Sequence, residues 1–497
     1  MTTSEKHRDS TRARPPQRGR YDWVLGLILA CLIAGLVQAL TGERILAGLV
    51  VLFALIVMAP VWSPVVLMAL LTIAAFVSVP APLLVVIPVE GLVVRPYELI
   101  LIAAVVCVLV QERRRPYVDR RIIVFGVAVL GAIGLGLAGA HSVFRIFGDI
   151  RYVIYMLGAF LVFSTVAHVP SRSRVLGRVL LWVLWISAVS SILVSTGAAT
   201  FGRRERSASL ESDAVGAAAR LLSPATYPSL AALCGLLALV SLARISTRTA
   251  LMYAIPAAVV VALSFSRNSF LGLAGALLFA LIAAACAGVI WRPIMIAAGI
   301  TGGLVAAVLL ATAVFRSTGI GVWLELQVSS FNERVLGGLT ESGLANDGSA
   351  QFRFQQEDYY LEQQIANSPL IGHGMGYPYK PLLTGRTFGD KSEYLRYYAH
   401  NTYLWLWVKS GVFGLLAFVY AFATPIFGAL WTRGDVAVAA GAATAGLLSC
   451  GFVVPMPLGT PTAVLLGAVA GLCAGAVADD REAAADGLDR RKEEASS

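Results

Sequence analysis

"IIVFGVAVLGAIGLGLAGA", residues Ile122 to Ala140, runs without a single charged side chain. A helix of roughly 20 apolar residues crosses a hydrocarbon core about 30 Å thick. In lipid only a helix or a closed barrel satisfies its own backbone, and this run lacks the every-second-residue alternation of a barrel strand. The stretch therefore reads as a transmembrane helix.

Runs of the same kind recur along nearly the whole chain. Of the 497 residues 58% are hydrophobic and 14% charged, the mean hydropathy is +0.76, and a soluble domain carries about 25% charge. The reading is all-α: a polytopic membrane bundle of about 12–14 transmembrane helices with one large extracytoplasmic loop that contains amphipathic helix. The net charge of +10 does not call for nucleic acid, because much of it flanks spans, as in the N-terminal tail and in "QERRRPYVDRR". The cytoplasmic bias of Lys and Arg accounts for it. All six cysteines lie in apolar runs without a CxxC pair, so neither a disulfide framework nor a zinc site is expected.

Charge places the loops. Residues 1–20 read as a disordered basic cytoplasmic tail, and residues 21–315 as the N-terminal transmembrane bundle, beginning with spans from Trp23 to Leu40, Ile45 to Ala59 and Val61 to Val79. After Ile122 to Ala140, "HSVFRIFGDIR" is expected on the outer surface, Tyr152 to Ala167 as a span, "SRSRVLGR" as an inner loop and Val179 to Ser195 as the next span. The run from Thr249 to Trp291 is too long for one crossing. "SFSRNSF" breaks it, which predicts a hairpin with an outward turn. Residues 316–399 form the large extracytoplasmic loop, residues 400–478 the C-terminal transmembrane helices and residues 479–497 a cytoplasmic tail. Both termini are thus expected in the cytoplasm, and Arg220, Arg267, Arg353 and His400 share the outer side.

Within the loop, "GSAQFRFQQEDYYLEQQIANSPLIGHGMG" predicts an amphipathic helix that stops at Pro369. Phe354, Leu361 and Ile365 form its apolar stripe, while Arg353, Gln356, Tyr360 and Gln364 gather on another face. "GHGMG" fits either a structural turn or a nest of backbone N–H groups for an anion. Arg267 sits between two apolar runs without a carboxylate nearby in sequence, so a distant acid, a backbone carbonyl, a headgroup or a ligand must meet it. His400 and Asn401 open "HNTYLWLWVKSGVFG", where a histidine serves as a cap or interface residue or, with an ordinary pKa of about 6.5, as a general base.

The combination of "SFSRNSF", "RFQQEDYYLEQQIANSPLIGHGMG" and "YAHNTYLWLWVKSGVFGLL" resembles the O-antigen ligase and polymerase superfamily of bacterial membrane glycosyltransferases, most strongly from about Ser223 to Phe418. "PLIGHG" corresponds to the family's glycine turn, and His-Asn precedes an apolar helix with a Gly-x-x-Gly. The match at Arg220 is loose, and Asn268 stands where a small residue is usual. The resemblance implies a glycan donor on undecaprenyl pyrophosphate, a sugar or glycolipid acceptor, and inverting, metal-independent transfer in the bacterial plasma (inner) membrane, with surrounding lipids as the other partner and no cofactor. The chain holds no DxD motif of a metal-dependent sugar-nucleotide transferase. His400 and Arg267 would then be catalytic, and Arg220, Arg353 and Asn401 would bind pyrophosphate or glycan, with Asn401 equally suited to cap its helix. The alternative from another class is a flippase for lipid-linked oligosaccharide. The shared motifs leave ligase and polymerase both open.

Overall fold

A computed structural model of the chain describes residues 62–80, 87–89, 92–111, 119–201, 205–207, 218–315, 317–340, 351–381 and 396–496. The spans expected from Trp23 to Leu40 and from Ile45 to Ala59, the N-terminal tail and the cluster at Arg113 to Arg115 lie outside these residues. Between α1 (Pro64–Phe76) and α2 (Pro96–Gln111) is a short hairpin, β1 (Ile87–Val89) against β2 (Leu92–Val94). Then come α3 (Arg120–Ala138), α4 (Val143–Ala167) and α5 (Pro170–Ser195). A second hairpin, β3 (Glu205–Ser207) with β4 (Ala219–Leu221), sets Arg206 opposite Arg220. After it run α6 (Thr226–Ser241), α7 (Thr247–Leu263), α8 (Asn268–Cys286), α9 (Trp291–Phe315), α10 (Gly319–Phe331) and α11 (Asp358–Asn367). The last three helices are α12 (Thr402–Leu430), α13 (Asp435–Cys450) and α14 (Thr460–Ser496).

The chain is an all-α polytopic protein. Among the described residues, α3, α4, α5, α8, α12 and α14 are long and apolar enough to cross a membrane, and α1, α2, α6, α7 and α13 are shorter apolar helices. The hairpin expected around "SFSRNSF" is formed by α7 and α8, joined by residues 264–267. Local chemistry fixes several starts: the Asp119 carboxylate caps α3 by accepting from Arg121 N at 2.9 Å, and Pro170 opens α5 at a position where its missing N–H costs nothing.

Burial separates the centre from the lipid-facing edge. The apolar part of α14 is 72% buried, against 22% for α3. α14 packs on α4 through Gly467, Gly471 and Gly475, spaced one turn apart. A Cβ at any of them would strike the carbonyl oxygens of Met156, Phe160 or Ser164, themselves spaced by four. Small residues at this interval let two helix backbones approach, which drives association where lipid tails remove the hydrophobic advantage.

Two segments read as lying between spans are helical. "HSVFRIFGDIR", expected on the outer surface, is from Val143 onward the first part of α4, and "SRSRVLGR", expected as an inner loop, forms the opening turns of α5. In the first of them the charges at Asp149 and Arg151 are met by partners far away in sequence. Asp149 accepts from Lys409 Nζ on α12 at 2.7 Å, and Arg151 donates to Glu98 on α2, whose carboxylate also receives the Tyr155 hydroxyl at 3.1 Å. A paired charge can enter a bundle that an unpaired one cannot. The charged C-terminal stretch also continues α14 to Ser496, with Asp480 accepting from Gly434 N at 2.8 Å.

Candidate active site

At one end of the bundle three irregular segments meet: the turn between α7 and α8, the segment that enters α11, and the entry to α12. The first is tight. Phe265 adopts a left-handed conformation, φ 44°, which a bulky residue adopts only when its surroundings hold it there. Its ring supplies that hold, 2% exposed and packed with Ala218, Val335 and Phe331. The chain then swings Arg267 to the N-cap position of α8, where Nη1 donates to the Gly338 carbonyl at 2.7 Å. A side chain at Gly338 would put Cβ 2.8 Å from that nitrogen. Arg220, in β4, donates from Nε to the Ser264 carbonyl at 3.1 Å. Two guanidinium groups from segments over 40 residues apart thus converge on one turn. Asn268, the departure from the family pattern, donates to the Tyr227 hydroxyl at 2.8 Å and pairs with Ser266.

The second segment begins as a π-helical turn, Phe352–Glu357, and continues as α11. Leu361 and Ile365 of the predicted stripe are buried; the side chain of Phe354 lies outside the described set. Arg353 donates from Nη1 to the Val453 carbonyl at 3.3 Å. One turn later Glu357 is fully enclosed. Its Oε1 accepts from Lys380 Nζ at 2.6 Å, and its Oε2 lies 2.6 Å from His400 Nδ1. Burial opposes the Glu357 charge, but the hydrogen bond from His400 and the nearby Lys380 outweigh it and hold the carboxyl below its usual range. Lys380 also donates to the Tyr398 carbonyl at 2.8 Å, and the Tyr398 ring stands edge-on to His400 with centroids 5.0 Å apart. Burial, and then the Glu357 charge, pushes the Tyr398 phenol up.

His400 retains 24% side-chain exposure, and its Nε2 makes no hydrogen bond among the described residues. Asn401 caps α12: its Oδ1 accepts from Tyr403 N at 3.0 Å and Leu404 N at 3.2 Å. The helix beneath is pinned to the turn between α13 and α14, since Thr402 N donates to the Gly451 carbonyl at 2.9 Å. That turn also carries Val453, the partner of Arg353. Tyr227 feels the charges of both Arg220 and Arg353, and Tyr398 those of Arg353 and Glu357. Arg220 and Arg353 thus act on one tyrosine, and Arg353 and Glu357, the partner of His400, on another.

The "GHGMG" turn is structural. The N–H groups of His373, Gly374 and Met375 donate to the carbonyls of Val408, Lys409 and Ala132 at 2.8, 3.0 and 2.9 Å, and that of Gly376 to Asp149 Oδ2 at 2.7 Å. These amides are spent, so the anion-nest alternative fails. Two of the acceptors exist because α12 kinks at Gly411, φ 67°, which frees the Val408 and Lys409 carbonyls, while Val412 N turns to the Pro369 carbonyl at 3.0 Å. Irregular backbone inside a bundle persists where such exchanges satisfy it.

Glu357 and Lys380 were not singled out from the sequence. Glu357 did carry a signal: it lies four residues after Arg353 and so on the same helical face. Lys380, in "YPYKPLL", follows no periodicity.

Fold and site together define a multi-pass helical membrane protein with a histidine–carboxylate pair set among arginines. Residues 236–419 match the family model described as O-antigen ligase, a stretch that includes Arg267, Arg353, Glu357, Lys380 and His400 and leaves Arg220 outside. Over this stretch the chain is similar to the O-antigen ligase family, as the motifs around Arg267, Arg353 and His400 led us to expect. No curated protein matches the chain.

Proposed function

We propose that the protein transfers a glycan from an undecaprenyl pyrophosphate-linked donor onto a sugar hydroxyl at the outer face of the bacterial plasma membrane, with inversion and without a metal. The observation that carries this reading is the 2.6 Å contact of His400 Nδ1 with the enclosed Glu357 carboxylate, four residues after Arg353 on the same helical segment. His400 Nε2 takes the proton of the acceptor hydroxyl as its oxygen attacks the anomeric carbon. A glycosidic bond forms, the bond from that carbon to the pyrophosphate oxygen breaks, and its electron pair leaves with the diphosphate. General-base assistance of this kind contributes about 10²–10⁴-fold.

The leaving group gathers negative charge as it departs. Guanidinium groups remain charged at any relevant pH and bind phosphate oxygens through a planar fork, which suits Arg267 and Arg220 to stabilise that charge, with Arg353 alongside. The carbonyl contacts at Gly338 and Ser264 orient these forks. Asn401 acts through the entry to α12, fixing the backbone from which His400 projects.

The test is transfer by purified protein supplied with undecaprenyl pyrophosphate-linked repeat units and EDTA, comparing wild type with His400→Ala. A ladder of longer lipid-linked glycans that vanishes in the variant supports a metal-independent polymerase. Product only when a second acceptor is added supports a ligase. Equal product from His400→Ala defeats the assignment of the base.

A further inference from the structure

We propose that Glu357 is the positioning residue of the transfer reaction, holding His400 in the tautomer with its proton on Nδ1 and its lone pair on Nε2. This rests on the assignment of His400 as the acceptor's base. In a neutral imidazole, the nitrogen that carries the proton is set by the hydrogen bond it makes. An ionised carboxylate only accepts, so the 2.6 Å contact between Glu357 Oε2 and Nδ1 requires Nδ1 to donate. Nε2, in a side chain that is 24% exposed, is left as the acceptor of a proton.

Lys380 makes the arrangement durable. Its ammonium holds the other carboxylate oxygen at 2.6 Å, with 2% side-chain exposure against 0% for Glu357. It also grips the carbonyl of Tyr398, two residues before His400. The titratable and charged groups facing the pair are thus Lys380, Asp358, Arg353 and Tyr398. When Nε2 takes the acceptor proton, the ring becomes an imidazolium whose Nδ1–H already faces a carboxylate fixed in place. The charge is met without reorganisation. Lys380 at the far oxygen keeps Glu357 ionised, so the proton stays on the imidazole until water removes it.

The test uses full-length protein in detergent labelled with ¹⁵N-histidine. The chain has five histidines, and comparison with His400→Gln assigns the resonances of His400. The expected wild-type ring is protonated at Nδ1 and bare at Nε2 at neutral pH. In Glu357→Gln the proton moves toward Nε2, kcat falls by about 10²-fold at unchanged donor KM, and the acidic limb of the pH–rate profile shifts. Glu357→Asp restores part of both tautomer and rate. The wild-type tautomer needs no variant, so it decides the matter even if Glu357→Gln fails to fold. A wild-type ring protonated at Nε2, alongside an inactive His400→Ala, overturns the positioning role alone. Active His400→Ala overturns the reading of the base beneath it.

Discussion

Asp149 on α4 and Lys409 on α12, 260 residues apart, form an ion pair of 2.7 Å. Lys409 has 0% side-chain exposure and Asp149 9%. The same Asp149 oxygen receives Gly376 N at 2.7 Å, and Lys409 donates also to the Tyr377 carbonyl at 2.7 Å. The pair therefore clamps the glycine turn to two helices. Removing one partner leaves a buried charge uncompensated, which costs about 3–5 kcal/mol. Lys409→Met is expected to lower the thermal unfolding midpoint in detergent sharply, and Asp149→Asn in the same chain to recover part of the loss. An unchanged midpoint in the single variant would show that water reaches the pair.

Gly411 supplies a second, sharper case. Its φ of 67° and the backbone of Leu370 and Ile371, against which a Cβ would collide, both exclude a side chain. Its φ and ψ, 67° and −175°, fall in a region essentially confined to glycine, which costs an L-residue about 1–3 kcal/mol. Gly411→Ala is expected to lose more than this, together with transfer activity, because the kink frees the carbonyls that anchor the loop. Gly126→Ala on α3, where a Cβ meets nothing within 4 Å, is the control. It should gain up to about 1 kcal/mol from helix propensity. Equal midpoints for the two variants would remove the argument.

The sequence made some of this plain and hid the rest for physical reasons. The α7–α8 hairpin was readable because "SFSRNSF" interrupts an apolar run too long for one crossing, and the end of α11 because Pro369 cannot continue a helix. The start of α4 was not. Asp149 and Arg151 look like loop charges until their partners are known, and Lys409 and Glu98 stand 260 and 53 residues away. In the site, His400, Arg267 and Arg353 stood out by residue type near apolar helix. Glu357 was one acid among several in "QQEDYYLEQQ", and only folding shows which of them is enclosed beside a histidine.

Arg267→Lys keeps the charge and loses the fork. A lysine ammonium at the end of a flexible stem cannot hold the Gly338 carbonyl and grasp a diphosphate in the same plane. Removing one preorganised charge-stabilising donor typically costs about 10²–10³ in kcat. We expect Arg267→Lys to lose at least about 10²-fold in transfer with donor binding largely kept. Wild-type turnover would show that Arg267 serves the turn and its Gly338 contact alone.

Asp358 offers a pH test that needs no substrate. Burial, and then the charges of Glu357 and Glu362, push its carboxyl up from 3.8 to about 6, against the pull of Lys380 and Arg353. Its Oδ1 is buried and has no hydrogen-bond partner among the described residues. A carboxyl whose folded pKa is raised stabilises the fold when protonated. That contribution is fully present below pH 3.8 and is lost as pH rises through about 6. Asp358→Asn mimics the protonated form at all pH values. The variant should match wild type below pH 3.8, gain on it progressively up to about pH 6 and stay ahead by a constant margin above that. Glu357, with its lowered carboxyl, works in the opposite sense, contributing stability above its usual 4.5 that is lost as pH falls. That contribution is common to both proteins, so the difference in unfolding midpoint between wild type and Asp358→Asn isolates Asp358. A difference that does not vary with pH would show that the Asp358 carboxyl reaches water and titrates as an ordinary surface acid.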